Sequence, residues 1–537
     1  MKLTDESIKD RCPWEEKGYG LPSFDREAMK EKTRREPRWV HIGAGNIFRA
    51  FPAVLHQRLL DEGLADTGII VGEGFDPEII SSVYTPCDNL SLLVVLKSDG
   101  SIEKKVIASV AEARICDQAK TEDWEYFSSV FRSPSLQMVS FTITEKGYSL
   151  TDSSGAYTAM AEKDFAAGPA MSVLLVSRVA ALLHERFRAG GHPLALVSMD
   201  NCSHNGEKLG SAIIDIVHHW EEVSFVDSGF LAYVSNPSTV SFPWSMIDKI
   251  TPRPDEGVKK MLEADGFKDT GIVVTARKTW TAPFVNAEEA QYLVVEDSFP
   301  NGRPVLERAG VYFTDRDTVN KVEKMKVCTC LNPLHTALAI FGCLLGYTLI
   351  SEEMKDPQLK RLVEKIGYDE GLPVVVNPGI LDPRAFIKEV VEVRFPNPFM
   401  PDTPQRIASD TSQKLAIRFG ETIKVYVENP SLDVSGLKFI PLVFAGWLRY
   451  LMGRDDEDRV FELSPDPLAS EAGAYVKDVR LGHAGPVPGL DGLLRNSAVF
   501  GVNLVEVGMV PLVLEYFYSL VAGKGAVRDT LVRLLGT

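Results

Sequence analysis

The sequence predicts an α/β domain over residues 1–295, with residues 1–37 as an arm ahead of it, and a mostly α-helical domain over residues 296–537. Three observations predict this division. Near residue 40 a short apolar strand runs straight into a glycine turn and an apolar-periodic helix. Strand-like and helix-like runs then alternate. From about residue 296 the texture changes to long helical stretches with few strands. At 537 residues the chain is also too long for one core.

Residues 1–37 are polar and charged, with turn residues at Gly18, Gly20 and Pro22, and read as an arm on the surface. Trp39-Val40-His41-Ile42 reads as a short buried strand. It feeds Gly43-Ala44-Gly45-Asn46-Ile47-Phe48-Arg49, after which Phe51, Val54, Leu55 and Leu59 recur at helical spacing. A strand, a glycine turn and a helix form the first unit of a Rossmann-type dinucleotide-binding fold, whose glycines let the backbone approach a pyrophosphate at the helix start. Gly43, Gly45, Asn46, Ile47 and Phe48 are therefore candidate cofactor-binding residues, with Phe48 standing where a third glycine is usual. The next strand, from Gly68 to Gly72, ends in Glu73, with Asp76 nearby. Acidic residues there accept hydrogen bonds from ribose hydroxyls and repel a 2'-phosphate, so both join the candidates and NAD is expected rather than NADP. The alternative for each is an ordinary loop carboxylate.

Further strand-like runs lie at 92–96, 105–110 and 138–143, the last leading into Thr144-Glu145-Lys146-Gly147-Tyr148. A helix over 170–188 and a strand from Leu194 to Ser198 continue the alternation. That strand delivers Asp200-Asn201 at its carboxyl end, where open α/β sheets place ligands. Asp248 follows in an apolar setting, where a carboxylate caps a loop, pairs with a cation or serves a site. The region 371–412 reads as loop-rich, and its Arg394 and Arg406, with Lys414 just beyond, are either solvated or suited to clamp a carboxylate or a polyol.

The segment Glu323-Lys324-Met325-Lys326-Val327-Cys328-Thr329-Cys330-Leu331-Asn332-Pro333-Leu334-His335 puts amines, a carboxamide and an imidazole just ahead of an apolar run. Such groups are costly to bury without partners. Asn332 as N-cap and Pro333 at the first helical position would put His335 in the first turn. In a straight helix Lys326 and His335 would stand roughly 13 Å apart at about 1.5 Å per residue, too far for one small substrate. A bend or bulge between them is therefore expected.

A formal charge of −16 argues against a nucleic-acid or anionic-membrane partner. Seven cysteines without framework spacing suggest a reduced intracellular protein, and Cys328 and Cys330 read as small core residues. The charged start of the chain lacks the apolar stretch of a signal peptide, so the cytoplasm is expected. No metal is expected, because no cysteine or histidine cluster has ligand spacing. None of the 15 tyrosines is followed by lysine at the fourth position, so a short-chain dehydrogenase pair is missing.

Five ordered motifs together resemble the polyol-specific long-chain dehydrogenases. They are the glycine turn at 43–49, Thr142-Ile143-Thr144-Glu145-Lys146-Gly147-Tyr148, Asp200-Asn201 with Asn205-Gly206, Met246-Ile247-Asp248-Lys249-Ile250-Thr251-Pro252, and Asn332 with His335. That family includes mannitol 2-dehydrogenase, fructuronate reductase and tagaturonate reductase, and the resemblance covers nearly everything after residue 38. It implies metal-independent hydride transfer between NAD and a secondary alcohol. By the same resemblance Lys326 is the general acid/base, Asn201, Asn332 and His335 hold the reacting oxygen, Asp248 sits beside the lysine, and Glu323 links it to solvent. Arg406 and Lys414, with Asn201 and His335, contact the substrate. The family's lysine stands five residues before the asparagine, where this chain has Val327. Lys326 is favoured over Lys324 because Glu323 and Met325 match its surroundings, and a π-bulge or break would absorb the extra residue.

A lone amine desolvated beside other polar groups serves proton transfer in both directions. The expected partner is a small sugar acid or polyol. D-mannonate oxidation, the fructuronate reductase reaction, is favoured over the tagaturonate reductase and mannitol 2-dehydrogenase reactions because of the Arg/Lys region. A reading of another class is a non-catalytic NAD-binding sensor. The oligomeric state is left open.

Overall fold

The computed structural model describes residues 1–483 and 485–536. They divide into two compact units, one of residues 1–97 with 101–320 and the other of residues 98–100 with those from 321 onward.

The first unit is built on six strands, β1 (Trp39–Ile42), β2 (Ile69–Glu73), β3 (Val110–Ile115), β4 (Met138–Phe141), β5 (Leu194–Ser198) and β6 (Val240–Ser241). They lie in the order β3-β2-β1-β4-β5-β6, and every neighbouring pair is parallel. This is the Rossmann order. The direction of winding reverses between β1 and β4, and the carboxyl ends at such a reversal open the crevice in which these sheets bind ligands.

The strands read as unbroken apolar runs because both faces of the sheet are covered. Successive side chains point to opposite faces. Val40, Ile42, Ile70, Val139, Phe141, Leu194 and Leu196 enter one core, while Trp39, Ile69, Val71, Met138, Ala195 and Val197 enter the other. His41 shares the second face and is fully buried. The Trp39 indole N–H donates to Ser140 Oγ at 2.7 Å, which places the Ser140 proton toward His41 Nδ1 at 2.7 Å. His41 Nε2–H then faces Thr142 Oγ1 at 2.9 Å, and that hydroxyl donates to the Gly43 carbonyl at 3.4 Å. Burial holds His41 at a pKa of about 3, so this relay into the glycine turn is neutral.

Besides the antiparallel pair Val273–Val274 and Trp280–Thr281, two smaller sheets complete the unit among the described residues. Ser245–Asp248, Tyr292–Glu296 and Tyr312–Thr314 form one, and Asp248 closes its first strand opposite Tyr292. In the other, Tyr19–Gly20 pairs in parallel with Ile102–Ile107. The arm is thus fixed by distant contacts. Trp14 is buried with its ring 6.0 Å from that of Phe267, and the Tyr19 hydroxyl donates to Asp265 at 3.1 Å. The expected strand at 105–110 is two strands, Ile102–Ile107 and β3, which starts at Val110. The helix expected from residue 170 begins at Leu175, after the turn Gly168–Ala170.

The second unit is helical around the buried helix Asn332–Leu345. By length and composition the helical run 316–345 would cross a bilayer, but 78% of its apolar window is buried inside the protein, as in a core helix. Phe439–Tyr450 packs beside it, and the Glu370 carboxylate caps that helix by accepting from the N–H groups of Lys438, Phe439 and Ile440 at 2.5–2.8 Å. Residues 371–412 are less loop-like than their prolines suggest. Pro383 and Pro404 each stand in the first turn of a helix, Pro383–Glu389 and Pro404–Ile407.

Candidate active site

The glycine turn is shaped for an anionic ligand. Gly43 has φ +110°, and a Cβ there would stand 2.3 Å from the Thr142 carbonyl oxygen, so only glycine fits. Gly45 precedes the helix Asn46–Ala50, and a Cβ on it would meet no atom within 4 Å. The open side of the turn therefore leaves room for a pyrophosphate, as a Rossmann cofactor requires. Glu73 braces the turn from behind. Its Oε2 accepts from Ala44 N at 2.8 Å, and its Oε1 accepts from Phe75 N and Asp76 N at 2.8 and 2.9 Å. Burial raises the Glu73 pKa while these donors oppose the shift. Asp76 is buried and accepts from the Thr275 hydroxyl at 2.6 Å. Phe48 is fully buried and stacks on His41 at 4.1 Å, so packing occupies the place of the usual third glycine. Asn46 is held by Arg49, which donates to its Oδ1 at 2.7 Å.

Beyond the turn lies a pocket of about 300 Å³ lined by Ile47, Thr144, Asn201, Ile247, Lys249 and Thr251, among others. Asp200 ties its walls together. Its carboxylate accepts from Ile143 N at 3.0 Å, Thr144 N at 2.8 Å and the Tyr148 hydroxyl at 2.5 Å, and it holds Thr144 at φ +65°. Asn201 is exposed, and among the described residues its carboxamide makes no hydrogen bond. Asn205, by contrast, is fully buried and bonded to Ser198 O, Asp200 O and Ser245, so it is structural. Asp248 is 6% exposed. The adjacent Lys249 donates to Glu288 O at 2.6 Å and Gln291 Oε1 at 2.8 Å. A larger hollow of about 670 Å³ beside the helix Asn205–Glu222 lacks the glycine turn among its walls.

The second unit holds the remaining candidates on consecutive segments. The helix Arg316–Met325 passes into a π-helical stretch, Lys326–Cys330, and the chain breaks at Leu331 before Asn332–Leu345 begins. The expected bulge is therefore present and takes up the extra residue. Lys326 opens it and is 4% exposed, whereas Lys324 faces solvent. Glu323 is partly exposed. Asn332 is the first residue of its helix rather than the N-cap, which is Leu331. Its half-buried carboxamide makes no hydrogen bond among the described residues. Cys328 and Cys330 are unpaired, with burial raising their thiols to about 11 and about 12.

His335 lies in the first turn, its ring 4.9 Å from that of Phe395 and its Nε2 3.7 Å from Asp402 Oδ2. Nε2 is buried without a hydrogen-bond partner among the described residues. Burial, helped by Arg418, Arg406, Arg394 and Lys414, lowers the pKa of this imidazole to about 3. It is therefore a neutral hydrogen-bonding group within a cationic field. Arg406 is largely exposed and paired with Asp402, and Lys414 donates to the carbonyls of Ile407 and Ser409. Arg418 belongs to the same surroundings, but a lone arginine on an amphipathic stretch gives no signal in sequence. No group of three or more His, Cys, Asp or Glu side chains placed to hold a metal ion occurs among the described residues.

Comparisons with known proteins follow the same division. The mannitol dehydrogenase Rossmann domain model matches residues 37–308, and the mannitol dehydrogenase C-terminal domain model matches residues 318–506. A D-mannonate oxidoreductase of Thermotoga maritima is 53% identical, with 100% of this chain and 99% of that protein covered. A polyol:NADP oxidoreductase of Gluconobacter oxydans is 28% identical over 84% of this chain and 86% of its own length. The solved Pseudomonas fluorescens mannitol 2-dehydrogenase, in ternary complex with NAD and D-mannitol, is 25% identical with a TM-score of 0.69, covering 100% of this chain and 99% of that one.

Proposed function

Because this chain belongs to the mannitol dehydrogenase family, matched through both of its halves, we propose that it is an NAD-dependent D-mannonate oxidoreductase, the fructuronate reductase reaction. The observation that carries the choice of substrate is the full-length 53% identity to a D-mannonate oxidoreductase. The cations around His335 support it, since a sugar acid brings a carboxylate and a neutral hexitol does not.

The residues around the glycine turn fit NAD. Gly43, Gly45 and the start of the helix at Asn46 would hold the pyrophosphate, Ile47 would wall the pocket, and Glu73 with Asp76 would oppose a 2'-phosphate. When bound, NAD supplies the hydride acceptor.

The chain's own residues handle the proton. The Lys326 amine takes the proton of the substrate hydroxyl as its carbon gives up hydride, and returns it in the reverse direction. Its burial keeps water from competing for that proton. Asn332, His335 and Asn201 hydrogen-bond the reacting oxygen with groups that have no intramolecular hydrogen bond among the described residues. Asp248 is assigned as a supporting carboxylate and Glu323 as the group that passes the lysine's proton to solvent. Arg406 and Lys414 contact the sugar chain. The cytoplasm is the proposed compartment.

Steady-state rates with D-mannonate, D-altronate and D-mannitol, each with NAD and with NADP, test the reading. We expect the largest kcat/KM for D-mannonate with NAD. Activity on mannitol alone, or a preference for NADP, would contradict it.

A further inference from the structure

Arg418 stands apart from the other inward-facing arginines. Arg186 directs its guanidinium to the carbonyls of Phe131, Ser133, Leu136, His192 and Pro193, and Arg449 serves those of Leu520, Arg454 and Asp455. Arg178 has three carbonyls and the Asp117 carboxylate. Arg418 makes one hydrogen bond, from Nη1 to Thr336 Oγ1 at 2.5 Å, and no carboxylate lies within ion-pair distance of it among the described residues. It is partly buried, and desolvation pushes its pKa down to about 10. A partly desolvated guanidinium with one neutral partner keeps donors open to an anion.

Its position points to where that anion belongs. Thr336 follows His335, and its hydroxyl donates to the Asn332 carbonyl at 2.9 Å, so Arg418 is anchored to the first turn of the helix that carries two of the three proposed oxygen-binding groups. Arg418 is also the middle residue of a π-helical stretch, Ala416–Gly420, and in the helix that follows it Thr422 Oγ1 donates to the Cys328 carbonyl of the stretch opened by Lys326 at 3.4 Å. Lys414, one turn earlier, has two carbonyl partners and, like Arg418, no paired carboxylate among the described residues. Arg406, which does have Asp402, is the exposed member of the group.

We propose that the Arg418 guanidinium, anchored on Thr336 beside His335, receives the substrate's carboxylate and gives this chain its preference for a sugar acid over a neutral polyol. The assignment rests on the sugar-acid reading above and names the residue behind it.

The test uses the full-length protein with R418Q and R418K, measuring KM and kcat for D-mannonate and D-mannitol with NAD, together with NADH affinity and thermal melting. Loss of a charge-assisted bidentate contact raises the KM for D-mannonate by about 10–100-fold in R418Q. The mannonate-to-mannitol ratio of kcat/KM falls at least about tenfold, and R418K lies between R418Q and the wild type. NADH affinity and melting show that each variant is folded, and R418K carries the test if R418Q is not. Wild-type turnover of D-mannonate with an unchanged KM in the folded variants overturns this assignment alone, as does an equal loss on both substrates. A wild-type enzyme that oxidises D-mannitol and not D-mannonate overturns the sugar-acid reading as well.

Discussion

Lys324 and Lys326 are two residues apart and differ chiefly in surroundings. One is exposed on the helix, while the other opens a π-helical stretch almost out of reach of water. Replacing Lys324 by alanine should therefore leave kcat within about twofold, as for an ordinary surface change. Asn332→Ala removes a proposed donor to the reacting oxygen, so kcat should fall about 10²–10³-fold with NADH affinity kept. Pre-steady-state measurement of NADH formation separates that loss from slow product release. The sequence favours Lys326 over Lys324, because it stands nearer the family's spacing and Glu323 and Met325 match its surroundings, and burial separates the two further. Arg418 was not legible, because its significance lies in partners it lacks, and only folding shows which groups surround a guanidinium.

At the scale of elements, the glycine turn separates a folding requirement from a binding one. Gly43→Ala would drive a methyl group into the Thr142 carbonyl at a backbone angle that disfavours side chains, and should cost about 1–3 kcal/mol of stability by urea unfolding. Gly45→Val adds its bulk to open space. It should unfold with nearly the wild-type midpoint and yet bind NADH at least about tenfold more weakly, since it fills the approach to the pyrophosphate. The strand, turn and helix were readable because a local period writes them. The π-helical stretch at 326–330 was foreseeable from one surplus residue between lysine and asparagine. The arm was not readable beyond its polarity. Trp14 and Tyr19 find Phe267 and Asp265 some 250 residues later, and no local pattern reports such partners.

For the molecule as a whole, the buried imidazoles pull stability down toward acid, while the carboxyls of Glu353 and Glu370, raised by burial, pull the other way. Burial keeps His41, His335 and His56 neutral, with pKa values of about 3, 3 and 4. The unfolded chain takes up these protons near pH 6.5, while the folded one does so only well below. Between those limits the unfolded state binds more of these protons, so the histidines' share of stability rises with pH up to about 6.5 and is lost as pH falls below it. Each histidine contributes at most about 1.4 kcal/mol per pH unit in that window. The urea midpoint of the wild type relative to His56→Gln, which lies away from the site, should hold from pH 7.5 to about 6.5 and fall from there to pH 5. A flat profile would contradict the burial of neutral imidazoles. The two-part architecture was legible from the change of texture, because a sheet covered on both faces and a helical bundle distribute apolar residues at different periods.

The most direct test of the account compares wild type and Lys326→Ala for D-mannonate oxidation by NAD, with NADH affinity measured on the same samples. The account predicts wild-type turnover, a loss of about 10²–10⁴-fold in kcat for the variant and unchanged NADH affinity. Full activity in Lys326→Ala, or a wild-type protein that binds NADH and turns over none of the three sugar substrates, would contradict it.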